Sequence, residues 1–97
     1  MKVARHVMFH GRVQGVGFRA FVEYAAGERR LQGWVRNRRG GAVEAVLSGE
    51  AADIDVVIET CRKGPPSARV DRVDQREATP DELALRGSES FAVLVTV

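Results

Sequence analysis

An α+β fold, with two helices laid on one face of an antiparallel sheet in split βαβ order, is what three features of this sequence predict. The apolar residues switch period along the chain, from two to about three and a half and back, in the order β-α-β-β-α-β with a last β. Glycine and proline mark three of the junctions: GRVQGVG after the first strand, RRGG between the second and third, GPP after the second helix. The length of 97 residues, 44% hydrophobic and 29% charged, suits one small domain, expected over 1–97.

The elements follow in order. Val3, Val7 and Phe9 share one face of a strand, with Ala4, His6 and Met8 on the other. Phe18, Phe21, Val22, Ala25 and Ala26 recur at helical spacing, which predicts a helix from about residue 19 to 29. LQGWVRN and GAVEAVLSG read as two strands of a hairpin. Ile54, Val57, Ile58 and Cys61 mark a second amphipathic helix, over 51–62, that GPP stops. ARVDRVDQRE is a largely polar fourth strand. SFAVLVTV is a fifth, with Phe91, Val93, Val95 and Val97 expected on one face, and a helical turn at DELAL lies between them.

Charge is distributed unevenly. Residues 1–41 hold nine Lys/Arg against two acids, and residues 42–97 hold six against eleven, although the net charge is only +2. The basic half contains the glycine turn, so an anionic partner is expected there. The single cysteine, Cys61, allows no internal disulfide and no metal-ligand spacing, and points to a reducing compartment. No apolar run reaches the roughly 18 residues of a membrane span, and MKVARHVMFHGR lacks the apolar core of a signal sequence. A cytoplasmic protein without membrane contact is expected.

GRVQGVGFR, residues 11–19, carries the chemistry. A strand that passes into a helix through glycines leaves the first helical N–H groups unpaired and pointing outward, ready for an anion. Glycine permits the positive φ by which successive N–H groups converge, and it lets an oxyanion approach without meeting a Cβ. Arg19 stands at the positive end of the helix dipole, where a cation is disfavoured. It makes sense there if an anion lies between its guanidinium and the backbone donors. Gly15, Gly17 and Ala20 also fit the relaxed dinucleotide pattern G-x-G-x-x-G/A. Roughly 20 residues on, however, where the ribose-binding acid belongs, stand Val35, Arg36 and Asn37. No G-K-[S/T] follows, so the Walker pattern fails too.

Three stretches, GRVQGVGFR, GWVRNRRGGAVEAVLSG and GPPSARV, taken in order over residues 11–70, resemble the acylphosphatases. The resemblance implies a ferredoxin-like fold and metal-independent, cofactor-free hydrolysis of an acyl phosphate to carboxylate and inorganic phosphate. It implies Arg19 as the phosphate-holding arginine and Asn37 as the residue that positions the water. The loop Gln14, Gly15, Val16, Gly17 and Phe18, with the Arg19 amide, becomes the phosphate cradle. Phosphate or sulfate is expected to bind as product or inhibitor, and the protein to be a monomer. Arg29 and Arg30 depart from the family pattern, which often has an apolar residue and a helix-ending glycine there, and the chain ends in TV without the usual aromatic or basic residue.

The chemistry agrees with so small a residue set. The leaving carboxylate departs without a general acid, so gathering the dianion's charge and aligning a water are what remain. Other side chains have plainer expected roles. His6 and His10 lack a third metal ligand and are expected on a solvated sheet face. Cys61 is expected in the core, and Trp34 and Phe18 in structural positions. Arg36, Arg38 and Arg39 are expected to form a solvated rim. Glu44, Glu50 and Asp53 show no acid-base pairing.

Two rival readings come from other classes. A nucleic-acid-binding module shares the βαββαβ order, but the aromatic stacking motif is absent and aromatics total 6%. A regulatory domain of the kind found at the start of hydrogenase-maturation proteins would be followed by zinc-type cysteine pairs, which have no counterpart here.

Overall fold

A computed structural model describes residues 1–97. The elements are β1 (Lys2–Arg12), α1 (Phe18–Glu28), β2 (Gln32–Asn37), β3 (Val43–Glu50), α2 (Ala51–Lys63), β4 (Arg69–Glu77), α3 (Pro80–Ala84) and β5 (Phe91–Val93). The sheet order is β4-β1-β3-β2-β5. β1 pairs antiparallel with β3 and β4, β2 antiparallel with β3, and β5 parallel to β2. The split βαβ sheet is therefore antiparallel through four strands and gains a short parallel edge from the fifth.

Alternation along each strand divides the sheet into two faces. Val7 and Phe9 of β1, Val35 of β2 and Val43, Ala45 and Leu47 of β3 meet Phe18, Val22 and Ala26 of α1 and Ile54, Val57, Ile58 and Cys61 of α2 in the main core. Cys61 is buried there, as its place on the apolar stripe predicts, and burial pushes its thiol up to about 12. The opposite face carries a second cluster of Trp34, Val46 and Ala92, covered by Leu83 of α3 and by Leu94. Trp34 Nε1 donates to the Glu82 carbonyl at 2.6 Å. The two-helix layer is thus accompanied by a small outer cover that rides on α3.

Three expectations are corrected. β5 stops at Val93, and its Ala92, not the valine face, is buried; Val95 is 80% exposed. Leu94 keeps the parity of Ala92, packing over Trp34, and its N–H donates to the Val35 carbonyl as the last bond of the parallel ladder. His6 is not solvated: it is buried, with Nε2 2.6 Å from Glu44 Oε2. Arg36 and Arg38 are not a free rim, since both donate to Glu44 Oε1, at 2.7 and 3.1 Å, and the Arg36 guanidinium stacks 4.7 Å from the Trp34 ring centroid.

α1 ends in a Schellman motif: Leu31 N–H donates to the Ala26 carbonyl and Arg30 N–H to that of Gly27. The left-handed position in that motif is Arg30, with φ 55°, the one non-glycine residue of positive φ. The departure noted in the sequence thus falls where glycine carries no steric cost.

Candidate active site

Strand direction assembles the site. β1 and β2 are each antiparallel to β3, which lies between them, so they run the same way and end at the same edge of the sheet. The glycine loop leaves that end of β1, and Asn37 is the last residue of β2. Asn37 has the parity of Val35, whose side chain is in the helix-side core, so both lie on the face that α1 covers.

The loop is held in shape from three sides. Phe18, the first residue of α1, is buried and packs edge-on against Phe9, with ring centroids 5.1 Å apart. Ser67 Oγ donates to the Val16 carbonyl at 3.1 Å. Gln14 Nε2 donates to the carbonyls of Arg38 and Ala42. Gly15 and Gly17 have φ of 73° and 79°, and a Cβ on either would project into open space. Backbone conformation requires glycine at these two positions, and the space before them is the mouth of a cleft.

That cleft, of about 390 Å³, is lined by Val13, Gly15, Gly17, Phe18, Arg19 and Asn37, with Ala20, Glu23 and Val93 completing its wall. No backbone N–H from Gly15 to Ala20 donates to a backbone carbonyl, and the first helical bond is Phe21 N–H to Gly17. α1 has no side-chain N-cap and no acid in its first turn. Arg19 is half-buried at this helix start and enters no ion pair. Asn37 Oδ1 is buried and accepts no hydrogen bond from the protein. Buried acceptors are rarely left so.

Of the residues expected from the sequence, Arg19, Asn37, Gly15, Gly17 and Phe18 therefore line one cleft. Gln14 and Val16 do not; they anchor the loop through a side chain and a carbonyl. His6 and His10 face away and are engaged elsewhere, His10 with Asp74 at 3.1 Å. Glu23 lines the cleft without having been singled out in the sequence; its place four residues after Arg19, on the same helix face, was the available signal.

Burial of Glu44 pushes its carboxyl up, but hydrogen bonds from His6, Arg36 and Arg38 outweigh this and hold it below the ordinary carboxylate range. Both arginines are thus engaged by Glu44, whereas Arg19 enters no ion pair.

A ferredoxin-like α+β sheet with an amide-lined cleft at the carboxyl ends of β1 and β2 defines a class of protein suited to oxyanions. The acylphosphatase family model matches residues 5–92. An acylphosphatase of Bradyrhizobium diazoefficiens is 54% identical over 92 residues, covering 94% of this chain and 93% of that one. The crystal structure of an acylphosphatase from Bacillus subtilis superposes with a TM-score of 0.83 at 34% identity, covering 97% of this chain and 99% of the other. A full-length HypF in phosphate- and nucleotide-bound form matches with a TM-score of 0.84 at 30% identity, but this chain covers only 12% of it. The chain belongs to the acylphosphatase family, whose members are hydrolases that cleave the carboxyl-phosphate bond of acyl phosphates.

Proposed function

We propose that residues 1–97 act as one catalytic unit in which Arg19 and the amides of Gly15 to Arg19 hold the phosphoryl group of an acyl phosphate. The side chain of Asn37 aims the attacking water. The observation that carries this reading is the buried, unpartnered Oδ1 of Asn37 in the same cleft as an unpaired guanidinium and a run of free N–H groups. An amide oxygen accepts from one water O–H and so fixes the direction of the oxygen lone pair.

The water oxygen bonds to phosphorus as the phosphorus–acyl oxygen bond breaks, and the leaving carboxylate takes that electron pair. One water proton passes to a phosphoryl oxygen, so products are a carboxylate and inorganic phosphate, and no side chain must act as a strong base. Charge on the equatorial oxygens is met by fixed donors and the Arg19 fork.

The test is an assay on benzoyl phosphate with chelator present, for wild type, Arg19→Ala and Asn37→Ala. Hydrolysis by the wild type is expected to persist, and each variant to lose about 3 kcal/mol of transition-state stabilisation, roughly a hundredfold in rate. Unchanged turnover in Asn37→Ala would remove it from the mechanism. Inorganic phosphate or sulfate is expected to inhibit competitively, and a crystal soaked in sulfate with nothing bound at the loop would count against the cradle. We further propose a cytoplasmic monomer, in keeping with the single buried cysteine and with a cleft lined by one chain. Sedimentation at micromolar concentration checks the monomer.

A further inference from the structure

Among the side chains lining the cleft, Arg19 is the one cation and Glu23 the one carboxylate. They stand at i and i+4 on α1, on one helix face, yet no ion pair joins them, and Glu23 is exposed and bonded to no other group. A free carboxylate beside a pocket for a dianion is unfavourable for the phosphate itself, so its effect has to be sought at the other end of the substrate. With the loop from Gly15 to Arg19 assigned to the phosphoryl group and Asn37 to the water, the walls left for the acyl group are Val13, Ala20, Glu23 and Val93. Three of these are small or apolar, Val13 buried and Val93 47% exposed. The fourth, Glu23, carries a negative charge.

We propose that Glu23 is a charge filter on the acyl group: the cleft favours acyl phosphates whose acyl portion is neutral or cationic and discriminates against those that carry a second anion. This rests on the phosphate site proposed above. It assigns to one residue the reading of the acyl end, which the cradle and Asn37 leave unread because both address only the phosphoryl group and the water.

A matched series separates charge from shape: benzoyl, 4-carboxybenzoyl and 4-(aminomethyl)benzoyl phosphate, compared as ratios of kcat/KM. For wild type the order is cationic above neutral above anionic, with about 3- to 5-fold between neutral and anionic, the size of an exposed charge interaction. Glu23→Gln brings the ratios to within about twofold, and Glu23→Lys inverts them. In 1 M salt, where the screening length is about 3 Å, the wild-type ratios collapse as well. Ratios that survive in Glu23→Gln overturn the filter. So does an equal loss on all three substrates in that variant, since Glu23 would then serve the reaction and not the choice of substrate. If the wild type hydrolyses none of the three, the phosphate site and the filter fall together; if it hydrolyses all three with ratios indifferent to Glu23, only the filter falls.

Discussion

Gln14 Nε2 donates to the Arg38 carbonyl at 2.6 Å, and to that of Ala42 at 2.9 Å. One side chain of the glycine loop is thereby fastened to the hairpin that begins directly after Asn37. Loop and hairpin are far apart in sequence, and this amide sets the distance between the amide cradle and the residue proposed to aim the water. Both carbonyls keep another donor, Gly41 N–H for Arg38 and Arg38 N–H for Ala42. Gln14→Leu is therefore expected to cost only about 1 kcal/mol of stability. Its kcat should fall by about tenfold or more, because small misplacements of reacting groups are expensive. Chemical denaturation and steady-state kinetics on the same preparation check this; a kcat equal to wild type in the folded variant would show that the tether does not position the site.

Arg30→Gly is expected to stabilise the protein. Arg30 occupies the left-handed position of the Schellman motif at φ 55°, and an L side chain there costs about 1 kcal/mol relative to glycine. A rise in the urea midpoint with unchanged slope is the expected result. A fall in midpoint would mean that the Arg30 side chain contributes more than its backbone conformation costs.

Glu44→Ala should be strongly destabilising, by about 3 kcal/mol, because it leaves His6, Arg36 and Arg38 gathered around an absent counter-charge. The Glu44 side chain is only 7% exposed, so water reaches the gap poorly. A loss below about 1 kcal/mol in denaturant titration would show that both arginines escape to solvent.

Acid should loosen the outer cover. The Arg76 guanidinium, with nitrogens 2.9 and 2.6 Å from the Glu82 oxygens, and then the Thr79 N–H, hold the Glu82 carboxyl down to about 2. Its folded pKa lies below the unfolded value of about 4.3, so the unfolded state binds the extra proton first. This contribution to stability is present above about pH 5 and is lost as pH falls toward 2. Glu44 acts in the same direction. Thermal melts between pH 6 and 3, followed by Trp34 fluorescence, should steepen less in Glu82→Gln than in wild type; identical pH dependence would exclude this ion pair as a source of acid lability.

Part of this architecture is legible in the sequence alone. Ile54, Val57, Ile58 and Cys61 announce α2 by spacing alone and are all buried, and Gly15 and Gly17 announce a positive-φ turn that the structure contains. His6 misled because strand parity says which face a residue takes, not what covers that face. Here the buried Glu44 of neighbouring β3 takes its Nε2, and His6 is an interior position. SFAVLVTV departs in a related way: alternating valines satisfy the strand pattern, but the register with β2 covers only Phe91–Val93, and beyond the Leu94 bond to Val35 the chain leaves Val95 exposed.

The sequence by itself determined what is local: the order of elements, the helix faces, the left-handed glycines and the exposed amides of a helix start, since each depends on a few neighbouring residues and their dihedral preferences. Tertiary structure decided that Asn37 lines the same cleft as the glycine loop, that Gln14 turns to the hairpin, that Arg36 and Arg38 are bound to Glu44 while Arg19 has no ion-pair partner, and that Glu23 stands at the cleft. Those outcomes follow from which strands pair and in which direction. Such pairing is governed by contacts between residues distant in the chain, and no period or motif within one segment encodes them.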